Sequence, residues 1–208
     1  MLRTALRSLA AALLLASGTA RAGGYFDDFH PYQTYWSAGW DVGVPVGSLR
    51  SSWVSDTSIT GMQFEFRVGI VGRLSVGIAG NYNWFDQDYA FITVEQPTYT
   101  FTGPAYRRLE SLALRVTTHY YLTQTNFQPF VGFGIGPVWT SARLQTVNKK
   151  EDLYSTSLAV DPEVGLLWTV IPRFGFYLLA RYQFTLAGWA DVKNAQWFSG
   201  QIGAAWYL

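Results

Sequence analysis

The sequence predicts an all-β chain, an eight-stranded antiparallel transmembrane β-barrel with up-and-down meander topology. Three observations predict it. Large apolar residues occupy every second position in eight segments, polar and charged residues occupy the positions between them, and the connections alternate short and long. A period of two is the mark of a strand with one apolar face. Charges gathered on the other face give the barrel its direction. Eight large apolar faces turned outward around a charged interior are stable when hydrocarbon is the solvent, whereas a soluble ligand-carrying barrel has the opposite polarity.

The first segment of the chain stands apart from the barrel. Arg3 and Arg7, the apolar run from Leu9 to Leu15 and the small residues ending in Ala20-Arg21-Ala22 have the layout of a secretory signal peptide over residues 1–22, with cleavage expected after Ala22. The apolar run is shorter than the roughly 20 residues a membrane helix needs. Removing it takes out three arginines and no acid, so the formal charge of +1 becomes −2 and a nucleic-acid partner has no electrostatic support. Residues 23–34 form an aromatic and acidic leader (Tyr25, Phe26, Asp27, Asp28, Phe29) expected on the periplasmic side, and the barrel follows over residues 35–208. The chain has no cysteine, so cross-links play no part in holding it together. Aromatic residues make up 17% and there are 20 glycines, which suits strands in lipid.

The eight apolar faces come in order. Trp36, Ala38, Trp40, Val42, Val44 and Val46 alternate with Tyr35, Ser37, Gly39, Asp41, Gly43 and Pro45. Met62 to Ile70, Leu74 to Trp84 and Leu112 to Tyr120 repeat the pattern. Val131 to Trp139, Leu158 to Trp168, Phe174 to Phe184 and Phe198 to Leu208 complete it. Strands of roughly 10 to 12 residues are expected, enough to cross a bilayer at a tilt of about 45°. Connections at 71–73, 123–127 and 171–173 are short; those at 47–57, 86–106, 143–154 and 186–196 are longer. Short turns belong on the periplasmic side and long loops outside, and an even strand number puts both chain ends on the periplasmic side. Tyr120, Tyr121, Trp168 and Phe174 then fall near one membrane surface. Trp53, Trp84, Phe85, Tyr106, Trp139, Trp189 and Trp197 fall near the other, and both sets are read as interfacial girdles.

On this pattern the chain resembles the small outer-membrane barrels of the OmpA, OmpX and OmpW kind. The likeness covers the chain from about Tyr35 to Leu208 and is strongest in Pro129-Phe130-Val131-Gly132-Phe133-Gly134-Ile135-Gly136 and in the last strand. The ending Gly203-Ala204-Ala205-Trp206-Tyr207-Leu208 resembles the signal read by the barrel-assembly machinery, with Gly203, Trp206 and Leu208 as its key positions. It departs from that pattern at Ile202, where a polar residue is usual, and at Leu208, which replaces the common terminal phenylalanine. The resemblance implies a place in a bacterial outer membrane among outer-membrane lipid and lipopolysaccharide. It implies an architecture shared by many functions and so no particular activity.

The chemistry-bearing residues divide between lumen and loops. Asp41, Glu65, Arg67, Arg115, Asp161, Glu163 and Arg181 all fall at inward, mid-depth positions. Eight strands enclose a space that side chains just fill, so these charges are expected to pair into a plug. The rival reading is a narrow channel for ions or small solutes. An enzyme of the known small-barrel types would place a histidine beside a serine or carboxylate at the external rim. Of the two histidines, His30 precedes the barrel and His119 points inward near Thr117 and Tyr121, so enzymatic activity is not expected. No spacing suggests a metal, and no cofactor is implied. The longest loop carries Tyr89, Phe91, Tyr99, Phe101 and Tyr106 among threonines; its β-propensity predicts a hairpin projecting beyond the membrane, where a surface ligand of unknown kind is met. Arg107, Arg108, Arg143, Lys149 and Lys150 are placed to contact outer-leaflet phosphates. The expectation is a non-enzymatic barrel with a filled lumen and external loops for envelope-structural or surface-interaction work.

Overall fold

In a computed structural model, residues 34–208 are described apart from 97–98, 148–149, 189–191 and 193, and without the side chains of 92, 94–96, 99 and 101. The signal peptide, residues 23–33 of the leader with His30 among them, Lys149, Trp189 and the side chains of Tyr99 and Phe101 lie outside the described residues. Eight strands follow one another around a closed barrel: β1 (Thr34–Val46), β2 (Ser58–Val71), β3 (Leu74–Gln96), β4 (Tyr99–Tyr121), β5 (Phe127–Thr146), β6 (Lys150–Ile171), β7 (Phe174–Thr185) and β8 (Gln196–Tyr207). Each pairs antiparallel with its neighbour in sequence. The ends meet where β1 pairs with β8 from Tyr35↔Tyr207 to Val46↔Gln196. Closure leaves the transmembrane part without a free edge, the condition a sheet must meet in lipid.

The alternation read from the sequence is the alternation seen. Trp36, Trp40, Phe64, Ile78, Val116 and Ile202 face outward, while Ser37, Asp41, Gln63, Glu65, Asn81 and Arg115 are buried inside. A barrel with this exterior needs an apolar solvent. On the short-turn side Trp36 stacks on Trp206 (4.8 Å between ring centroids) and Phe174 meets Trp206 edge-on, part of an outward aromatic belt. The β2–β3 turn is made at Gly72, whose φ of +52° is a left-handed conformation that side chains disfavour.

Two features differ from expectation. The strands are not uniformly 10 to 12 residues long. β1, β7 and β8 have 12 or 13 residues and β2 has 14, whereas β3, β4, β5 and β6 have 20 to 23. Segment 86–106 continues the β3–β4 ladder almost to its tip, the projecting hairpin expected there, and 143–154, expected as a loop, does the same for β5–β6, so that together they make a four-stranded wall on one side of the mouth. Threonines and aromatics favour strand geometry, and the β3–β4 ladder carries on past an irregularity between Tyr89 and Ile92 and past Pro104.

Nor are all the terminal aromatics girdle residues. Trp53, Phe85, Trp197 and Tyr121 are buried inside the barrel. Phe85 and Trp197 sit at inward positions of β3 and β8, and Tyr121 at an inward position of β4. Position along a strand alone does not distinguish a rim aromatic from a plug aromatic; parity does.

Candidate functional site: lumen and extracellular mouth

The lumen is filled in three zones. At the periplasmic end Tyr35, Tyr121, Phe130, Leu167, Tyr177, Leu179, Ala205 and Tyr207 form an apolar floor. The Tyr35 and Tyr121 hydroxyls share a hydrogen bond of 2.7 Å, and Tyr207 shares one of 2.7 Å with Thr169. Tyr177 lies across Gly203 and Gly39, its partners in register on β8 and β1. A Cβ on either glycine would run into the Tyr177 ring or hydroxyl, so these positions stay bare to admit it.

Above the floor lies the charge layer. Arg67 pairs with Glu65, and also donates to Ser75 Oγ (2.9 Å) and Thr117 Oγ1 (2.7 Å). Arg115 pairs with Asp161 and donates to Asn81 Oδ1 (2.6 Å) and Gln183 Oε1 (3.1 Å). Arg181 donates from Nε to Glu163 (2.6 Å) and from its second amine to Gln63 Oε1 (2.6 Å). Glu163 also meets His119 Nε2 at 2.8 Å. Each arginine thus has one carboxylate and at least one neutral acceptor, which is what makes a buried charge tolerable. His119, stacked on Phe130 at 4.2 Å between centroids, is held inside this network and away from any surface a substrate reaches. Asp41 differs from the other acids: among the described residues its carboxylate accepts from the side-chain amides of Asn83 (3.2 Å) and Gln201 (3.0 Å) and from no arginine.

The third zone was hidden in the sequence. After β1 the chain makes a one-turn helix, α1 (Gly47–Ser52), and turns inward over the mouth. Leu49, Trp53 and Val54 pack against Phe85, Leu109, Ala142, Val192, Ala195 and Trp197 in an apolar roof. Arg107 pins it. Its guanidinium lies over the Trp53 ring (5.1 Å) and the Tyr89 ring (5.2 Å) and donates to the Ser52 carbonyl (2.8 Å). Tyr89 in turn donates to the Trp53 carbonyl at 3.0 Å. Two expectations are corrected here. Arg107 serves this inward anchor and is not presented to lipid phosphate, and Tyr89 holds the roof instead of standing free on the hairpin. Each is an inward position of the wall, so parity decides again.

On the outer side of the wall, Arg108 lies over Trp84 (4.3 Å) and pairs with Asp86 (3.0 Å) and Glu110 (3.7 Å); Tyr106 donates to Asp86. Arg143 pairs with Asp152 at 2.6 Å, and Lys150 lies 3.7 Å from the same carboxylate. Hydrogen bonding from Arg143 holds the Asp152 carboxyl below its ordinary range. These cations are matched by acids, which lessens the pull on lipid phosphates assigned to them from sequence. Further out, Phe91 on β3 and Val147 beyond the end of β5 are each more than 70% exposed, and Tyr154, opposite Ser141 below the Arg143–Asp152 pair, is as exposed. At the carboxyl end Gly203 faces the lumen, Trp206 the outer belt, and the Leu208 amide donates to the Thr34 carbonyl (2.9 Å).

Closed eight-strand order, consecutive antiparallel pairing and an outward apolar band decide the architecture. The fold is that of the small outer-membrane β-barrels. Solved structures with it include Neisserial surface protein A, NspA (TM-score 0.56, 16% identity, 83% of this chain and 96% of that one), and Ail, the attachment invasion locus protein of Yersinia pestis (TM-score 0.54, 13% identity, 86% of this chain and all of that one), the latter in complex with the heparin analogue sucrose octasulfate. No protein-family model and no curated protein matches the sequence. At these identities the small outer-membrane barrels share a backbone plan with this chain and nothing about its ligands follows.

Proposed function

We propose that this chain is a non-enzymatic integral protein of a bacterial outer membrane, exported by a signal peptide cleaved after Ala22, whose lumen is a structural plug and whose working surface is the wall raised by β3 to β6. The observation that carries the reading is the filling of the lumen. Apolar floor, paired charge layer and apolar roof succeed one another, and the side chains of all three arginines are at most about 2% exposed. Conduction would require arginine–carboxylate pairs to separate inside a poorly hydrated space, a step that costs several kcal/mol per ion. The only chemistry-capable histidine among the described residues is sealed in the same layer.

The wall has the attributes of a contact surface. It rises on one side only, continues the barrel ladders, and presents Phe91 and Val147 to the outside. Lipopolysaccharide sugars and another cell's surface both offer partners to an exposed aromatic face. At its base the Arg108 and Arg143 ion pairs sit at headgroup level. The barrel-assembly machinery is the partner expected for Gly203, Trp206 and Leu208.

Planar-bilayer recording and a wall deletion test the reading together. The purified barrel should show no steady conductance. Replacing residues 88–104 by a short turn should leave the barrel folded and remove its binding to cells or lipopolysaccharide. A steady conductance that Arg115→Ala alters, with binding unaffected by the deletion, would transfer the function from wall to lumen.

A further inference from the structure

Asp41 and Arg181 are buried charges of opposite sign that face each other without pairing directly. Arg181 donates from Nε to Glu163 and from one amine to Gln63. It also feels the Asp41 charge, and its other amine, Nη1, has no partner among the described residues. Asp41 takes two side-chain amides on Oδ2 and nothing on Oδ1. Register sets the two on either side of β8: Arg181, Ser199 and Gly43 form one row across β7, β8 and β1, and Leu179, Gln201 and Asp41 form the next.

The groups around them call for donors and acceptors in equal measure. Asn83 Oδ1 and Gln201 Oε1 are buried acceptors without a partner among the described residues, Gln63 Nε2 and Trp197 Nε1 are buried donors in the same condition, and Ser58 Oγ and Ser199 Oγ can serve either way. A cation would answer the acceptors and meet Arg181; an anion would answer the donors and meet Asp41. Water both donates and accepts, and a buried water typically makes about three such bonds to groups the protein leaves unsatisfied. Short side chains make room for it. Ala113 and Ala159 are the next inward positions above Arg115 and Asp161, with Val138 opposite Ala113, and these three form a small apolar far wall. Phe85 and Trp197 close the zone above, and the ion-paired arginines close it below.

We infer that Asp41 and Arg181 form a water-bridged ion pair, through a small cluster of captive water held between the charge layer and the aromatic roof and hydrogen-bonded to Gln63, Trp197, Ser199 and Gln201. A water bridge is nearly as good as a direct hydrogen bond. One guanidinium thereby serves two carboxylates, Glu163 by contact and Asp41 through water, which lowers the cost of burying four acids among three arginines. Captivity rests on the sealed lumen proposed above, because an open roof or a parted charge layer would let the water pass.

The test uses the full barrel, perdeuterated and nitrogen-labelled, in lipid nanodiscs. Water-selective NOE and ROE spectra are read at the Trp197 indole N–H, assigned with Trp197→Phe, and at the Gln63 side-chain amide. Cross-peaks to water are expected at both, with the signs of water bound to the barrel and not of passing solvent. Ser199→Ala removes a hydroxyl that could relay the signal and should keep the cross-peaks. Ser199→Leu fills the zone and should lose them. A folded barrel with no cross-peaks and no steady conductance would mean that Asp41 and Arg181 close on each other dry, and would overturn the water bridge alone. Cross-peaks lost in Ser199→Ala would overturn it too, as a hydroxyl relay. Passing-solvent signs together with steady conductance in planar bilayers would overturn the sealed lumen itself, and the captive cluster with it. If Ser199→Leu does not fold, the unmodified barrel and Ser199→Ala still decide.

Discussion

Replacing Arg115 with methionine tests the sealed lumen most directly. Arg115 is 1% exposed and its side chain fully buried; it pairs with Asp161, whose side chain is also fully buried, and holds Asn81 and Gln183 through the same guanidinium. Methionine keeps much of the volume and removes the charge, leaving the Asp161 carboxylate with no ion-pair partner among the described residues. Breaking a buried pair from one side costs about 3–5 kcal/mol, and two amide oxygens lose their donor besides. Adding Asp161→Leu should return most of that loss, because a buried pair replaced by apolar side chains of similar size is often close to neutral. The assay is equilibrium unfolding from lipid vesicles followed by the fluorescence of the nine tryptophans. Wild type, both single variants and the double variant form a cycle. A coupling of about 2–3 kcal/mol is expected. If Arg115→Met costs under about 1 kcal/mol and the cycle shows no coupling, the pair behaves as a solvated surface pair. The lumen is then wet and the plug reading fails.

Three further outcomes follow from the same geometry. Trp197→Ala removes one of the two roof tryptophans, packed against Phe85 at 5.7 Å between centroids, and should cost about 3–5 kcal/mol in the same unfolding assay. Arg107→Ala should loosen the roof more than the barrel: hydrogen exchange at Leu49 to Val54 should quicken, while the loss in global stability stays near the roughly 0.5–1 kcal/mol expected per cation–π contact. Asp152, held low by Arg143, contributes stability to the wall that is fully present above the ordinary carboxylate range and is lost as pH falls through its lowered value. A carboxyl titration by NMR should show that value moving up in Arg143→Gln, and an unmoved titration would remove the ion pair from the account.

The barrel was legible because lipid imposes a two-residue period on every strand, and because Asp41, Glu65, Arg67, Arg115, Asp161, Glu163 and Arg181 share the parity of the glycines. Parity also held the information about Phe85, Trp197, Tyr121, Tyr89 and Arg107, all at inward positions. Depth along a strand is the same for a rim aromatic and a lumenal one, so only parity separates them. The partners in the charge layer were not legible. Glu163 meets Arg181 from the next strand, but Arg115 reaches Asp161 across 46 positions, and Asp41 is held by Asn83 and Gln201 from β3 and β8. Those pairings depend on the register and stagger of the closed barrel.

Alternation, charge parity and the spacing of turns by themselves determined a membrane barrel, its strand number and its inner face, since each is a local consequence of which solvent a side chain meets. Tertiary structure decided the rest: how far β3 to β6 rise above the mouth, that α1 and Trp53 fold inward as a roof, and that three acids pair directly with arginines while Asp41 does not. These outcomes arise from closure, which brings strands distant in sequence around one narrow lumen and lets volume and charge balance choose among contacts that no local pattern specifies.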